Sequence, residues 1–147
     1  MKKFLFSLIV AFAAQSAMAN VQLEAEIAPL NPVPGSLTKF VKIYSSGEVH
    51  VNQCETLTGN CYPTAHVATL SWYAMNYING QVEMARAGAV IEDKDGCTEA
   101  PTISRNYTAS DKTVLLEKGT YPCGSVFLNQ TDAAYYLANV LKQYENK

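Results

Sequence analysis

Arginine is nearly missing from this chain: Arg86 and Arg105 are the only two in 147 residues. Lysine does not make up the shortfall, since Lys and Arg together number 11 against 13 Asp and Glu. Nucleic-acid binding requires clustered cations that displace phosphate counterions, so that class is excluded, and anionic membrane surfaces are disfavoured on the same ground. Histidine is as scarce, with only His50 and His66, which leaves little choice of general base. The chain has no G-x-S-x-G elbow, H-E-x-x-H helix, Gly-rich phosphate loop or EF-hand pattern. It also lacks the C-x-x-C spacing of redox catalysts and the C-x-x-C-H of haem attachment. The acidic run Glu92-Asp93-Lys94-Asp95-Gly96 reads as a solvated turn rather than a calcium loop.

Long apolar runs are missing too, apart from the one at the start. Lys2 and Lys3 precede the apolar stretch Phe4 to Ala14, and Ala17-Met18-Ala19 supplies small residues for signal cleavage before Asn20. The run falls short of the roughly 20 apolar residues that span a bilayer, so it reads as a removable signal and not an anchor. The short Lys-Lys start is bacterial in character, and the periplasm or the medium is the expected destination. Removing residues 1–19 takes two lysines and no acid, leaving nine basic against thirteen acidic residues, a formal charge of −4. No membrane span is expected after cleavage. The divisions expected are a signal at 1–19, an N-terminal strand and Pro-rich arm at 20–36, and a single α+β domain at 37–147.

Within that domain the patterns are clear. Val21, Leu23, Ala25 and Ile27 alternate with polar residues as a strand, and Val41 to Val51 reads as a hairpin turning at Ser45-Ser46-Gly47. Val67, Leu70, Ala74, Tyr77, Ile78, Val82 and Ala85 recur at helical spacing, predicting one helix from near Thr64 or Ala65 to Gly88 with Gly80 tolerated inside it. Ile103 to Ala109 and Thr113 to Glu117 read as a second hairpin, with Tyr107 opposite Val114 and Arg105 opposite Leu116. Val126 to Leu128 suggests a short extra strand. Thr131 is placed to N-cap a last helix, with Ala134, Leu137, Val140, Leu141 and Tyr144 on its buried face. The predicted architecture is α+β, a two-layer sandwich in the order ββαββα, stabilised by disulfides.

Four cysteines allow three pairings. Cys97 and Cys123 flank the second hairpin almost symmetrically, and Cys54 and Cys61 bracket a loop containing Gly59, so Cys54–Cys61 and Cys97–Cys123 are expected. An oxidising compartment is where such bridges persist. His50, Cys54, Cys61 and His66 could instead form a Cys₂His₂ metal set, but disulfide formation competes for the same sulfurs. Neither a metal nor another cofactor is therefore expected.

Nine tyrosines against five phenylalanines are read first as rings capping a small core and second as a recognition surface. The expected function is an exported, non-catalytic module that binds another exported or envelope protein. Glu55, Thr58, Asn60 and Tyr62 on the bridged loop, with Tyr121 on a second turn, are the expected contacts. A protease inhibitor with Glu55 to Asn60 as bait is one version. A small enzyme or metal-handling protein using His50 and His66 is the alternative, and a structural part of the cell envelope is the next.

Overall fold

A computed structural model describes residues 20–29, 32–93, 102–109, 112–119 and 126–147. The elements run β1 (Val21–Ala28), β2 (Leu37–Tyr44), β3 (Glu48–Glu55), β4 (Ala65–Thr69), α1 (Trp72–Arg86), β5 (Val90–Asp93), β6 (Thr102–Ala109), β7 (Lys112–Gly119), β8 (Val126–Asn129) and α2 (Asp132–Lys142). The strands form one antiparallel sheet ordered β4-β3-β2-β1-β6-β7-β8-β5. The class is α+β, while the element order is ββββαββββα rather than ββαββα. The first four strands form a meander. In the second half β5 precedes β6 in sequence but lies beyond β8 at the rim.

The register explains the core. Leu23 opposes Ile43, Ala25 opposes Val41, and Val41 and Ile43 oppose Val51 and Val49 in turn. Cross-strand partners share a face, and all six are buried there, packed with Ile78 and Val82 of α1 and Leu137 and Leu141 of α2. α2 lies against α1 and strands β1, β2, β6 and β7. The opposite face carries Glu24, Lys42, His50 and Asn52, the polar half of the same alternation. β1, the expected N-terminal strand, sits mid-sheet between β2 and β6.

Two strands escaped the sequence reading. Helix α1 begins only after Ser71, whose extended backbone and Oγ, accepting from Ala74 N at 3.3 Å, form the N-cap. The residues before it, read as the first helical turns, form β4. A register shift between Val49 and His50 lets both Val67 and Ala68 pack against the core, which erases the period-two signal. β5 is the other rim, and Val90 and Ile91 are both exposed there; Glu92 and Asp93 finish this strand instead of opening a turn.

The helical stripe keeps Ile78, Val82 and Ala85 as expected, with Met75 completing it in place of Ala74, and Tyr77 is exposed. Gly80 lies inside the helix, and Gly88 N bonds Ala85 O at 3.1 Å just past its end. The first hairpin turns as expected. Gly47 has φ 89° and donates to Tyr44 O at 2.8 Å; a Cβ there would lie 2.7 Å from Leu70 O, so no other residue fits. In the second hairpin Tyr107 opposes Val114, but a bulge after Arg105 sets Arg105 opposite Glu117, not Leu116. Thr131 caps α2 through its Oγ1, 3.1 Å from Ala134 N.

The Cys54–Cys61 disulfide is formed, which fits a compartment other than the reducing cytoplasm. Cys97, Cys123, Tyr121 and the N-terminal signal pattern lie outside the described residues. Among the described residues no helix is long and apolar enough to cross a membrane.

Candidate functional site

The bridged loop grows out of the end of β3. Cys54 is buried and Cys61 returns beside it as an isolated bridge. Between them Gly59, at φ 73°, lets its N–H reach back to Glu55 O at 2.8 Å. Glu55 N donates to Asn60 O and Thr56 N to Ser36 O, each at 2.8 Å, and Thr58 Oγ1 donates to the Glu55 carboxylate at 2.5 Å. Thr38 and Thr56 hydroxyls meet at 3.0 Å, tying the loop to β2. The backbone is thus fixed from inside by its own polar groups.

At the apex Leu57 is 56% exposed, and Tyr62, just past the bridge, is 55% exposed. A hollow of about 230 Å³ is lined by Glu55, Asn60, Cys61 and Tyr62, and another of about 200 Å³ on the far side of Tyr62 reaches Gln53, Pro63 and Val67. Glu55, Asn60 and Tyr62 thus converge on one concave surface, with Thr58 held to Glu55. Sequence reasoning missed Leu57. Its signal was available as the single large apolar side chain among the polar residues from Glu55 to Asn60.

The two histidines also come together. His50 on β3 and His66 on β4 are direct register partners, with ring centroids 5.4 Å apart and nearly perpendicular. Tyr44 stacks edge-on against the other side of His50 at 5.0 Å. His66 Nε2 lies 2.9 Å from Thr69 Oγ1, and His50 Nε2 lies 3.8 Å from a Glu48 oxygen, beyond hydrogen-bond reach. Lys42, opposite His50, pairs with Glu24 at 3.1 Å. The sulfurs of Cys54 and Cys61 are tied in their disulfide, so the Cys₂His₂ set does not exist as a thiolate site.

Two further features were not foreseen. A groove of about 550 Å³ runs between β7, β8 and α2, with Leu116, Leu128, Ala138 and Tyr135 as apolar lining and Asp132 at its rim. The outward side of α1 exposes Trp72, Tyr73 and Tyr77. Tyr77 packs edge-on against Tyr136 of α2 at 5.0 Å. Burial, and then the neighbouring Tyr77, push the Tyr136 phenol above its ordinary value.

Compared with protein family models, curated proteins and solved structures, the chain matches none of them.

Proposed function

We propose that this chain is an exported, non-catalytic binding module that engages another exported or envelope protein through its bridged loop and Tyr62. The reading rests above all on Leu57, a large apolar side chain exposed on a loop that is tied by the Cys54–Cys61 bridge and by backbone hydrogen bonds of Glu55, Thr56 and Gly59. A loop already ordered loses little entropy when a partner closes over it. An exposed leucine and an exposed tyrosine on this segment offer apolar contact area with one polar tip. Export is supported by the charged, apolar and small-residue pattern of residues 1–19, together with a disulfide that the cytoplasm would not preserve.

The turn closed by Gly59 N and Glu55 O is tight. That shape suits a partner with a pocket for one side chain better than an extended protease cleft. The test is a photo-cross-linking residue at position 57, applied in the exported fraction and in whole envelope extracts. We expect one specific adduct. The isolated partner is then expected to bind the Leu57→Asp protein at least about tenfold more weakly, as the loss of an interface anchor implies, with its unfolding midpoint unchanged. No adduct from position 57, or a partner indifferent to Leu57→Asp, would sink the reading.

A further inference from the structure

We propose that His50 and His66, with Glu48, form a binding site for a borderline divalent transition metal, Cu²⁺ or Zn²⁺, on the face of the sheet away from the helices. The pairing of the two rings is fixed by backbone register, so their approach does not depend on a flexible loop. Their separation, an edge-to-face contact as it stands, leaves both rings within reach of one ion once His66 turns. A metal–nitrogen bond of about 2.0–2.1 Å, added to about 1.2 Å from ring centre to nitrogen, puts two tetrahedrally ligating imidazoles about 5.2 Å apart. The observed centroid separation is 5.4 Å.

A second observation points the same way. His50 Nε2 is buried and has no hydrogen-bond partner, a state that normally signals a missing water, ion or ligand. A Glu48 oxygen, contacted by Ser46 Oγ at 3.4 Å, lies 3.8 Å away, somewhat beyond the roughly 3.4 Å between two ligands held at about 2.0–2.1 Å on one tetrahedral ion. Glu48, His50 and Thr69 lie together because Glu48 opposes Thr69 and His50 opposes His66 across the same pair of strands.

Among the described residues no three metal-ligating groups already converge on one point, so loading requires motion. His66 must swing away from Thr69 Oγ1, and the Glu48 carboxylate must close in. His66 is exposed on a rim strand, where that rotation meets little packing. The local charge permits a cation, because Lys42 is held by Glu24 at 3.1 Å and Glu48 supplies an anion on the metal side. With the thiolates locked in a disulfide, the donors are two imidazoles and a carboxylate. That set suits Cu²⁺ and Zn²⁺ and gives hard Mg²⁺ or Ca²⁺ little.

The test uses untagged protein with the Cys54–Cys61 bridge intact, titrated with CuCl₂ and ZnCl₂ in a non-chelating buffer at neutral pH. We expect one ion per chain, with nitrogen hyperfine structure from two imidazoles in the Cu²⁺ electron paramagnetic resonance spectrum. Zn²⁺ should shift both histidine ring resonances and neither with Mg²⁺. His66→Ala, at an exposed position, should fold normally and weaken binding at least about tenfold, since even groups behind the ligands are worth that much. Glu48→Gln should weaken it less. Absence of saturable binding, or unchanged affinity in His66→Ala, would overturn the site. An unaltered affinity in Glu48→Gln would overturn the carboxylate's place in it. The loop proposal is untouched by either result, because neither histidine belongs to the loop.

Discussion

Asn129 is a side chain on which separate parts of the fold converge. Its Nδ2 donates to Ala85 O at the end of α1, at 2.9 Å, and to Leu115 O of β7, at 3.3 Å. Its Oδ1 accepts from Thr131 N at 3.2 Å and from the Thr131 hydroxyl at 2.9 Å, setting the cap of α2. Replacing it by alanine removes a donor from both carbonyls, with Ala85 O keeping only Gly88 N at 3.1 Å, and frees the acceptor that holds Thr131; we expect a loss of about 1–3 kcal/mol, read as a lower urea midpoint at unchanged m-value. Gly88 is coupled to it, because a Cβ there would fall 2.2 Å from Asn129 Oδ1. Gly88→Ala should therefore destabilise the natural protein more than it does the Asn129→Ala background, and a double-mutant cycle measures the difference. Thr131 was legible as a cap because capping is local in sequence. Asn129 and the His50–His66 pair were not, since their partners are fixed by register and packing between distant segments.

Among the elements, α1, α2 and the bridged loop carry the clearest expectations. The raised Tyr136 phenol means that the folded chain holds this proton more tightly than the unfolded one. Its contribution is fully present below the unfolded value of 10.0 and is lost as pH rises through the folded value. Stability should fall above about pH 10, and Tyr136→Phe should flatten that fall in denaturant titrations. Removing the disulfide by paired Cys54→Ser and Cys61→Ser changes should cost about 2–3 kcal/mol by the chain-entropy model, visible as a lower thermal midpoint. Trp72, the one tryptophan, is 70% exposed; its emission should be that of solvated indole and should be readily quenched by acrylamide. β1 and the β2–β3 pair were legible from apolar residues alternating with polar ones, and β6 and β7 from two extended runs joined in sequence by the polar Ser110-Asp111, although Val114, Leu115 and Leu116 in succession break the alternation of β7. β4 was hidden by the bulge that turns Val67 and Ala68 inward together, and by Leu70, whose spacing to Ala74 mimics a helical step. β5 has no buried alternation to read.

At the scale of the molecule, the two halves of the sheet meet along the β1–β6 ladder, from Leu23–Tyr107 to Ala28–Thr102. α2 lies over both sides of that seam, against β1 and β2 as well as β6 and β7. Deleting residues 20–28 takes out the middle strand, and with it two fully buried core side chains, Leu23 and Ala25. We expect such a chain to lose its cooperative unfolding transition altogether, monitored by far-ultraviolet circular dichroism. The α+β class could be derived from strand and helix patterns, because each buries one apolar face. The strand order could not, since no residue pattern told that β5 would cross to the far rim.

That arrangement of rims has a further effect. The two outermost strands are short, five residues in β4 and four in β5, while the long ladders are kept inside. An open sheet of this width would otherwise expose a full row of unpaired amides and carbonyls to any neighbouring copy. With so little template at either side, stacking of one molecule onto the next gains few hydrogen bonds, and fibrous growth in a crowded compartment is disfavoured.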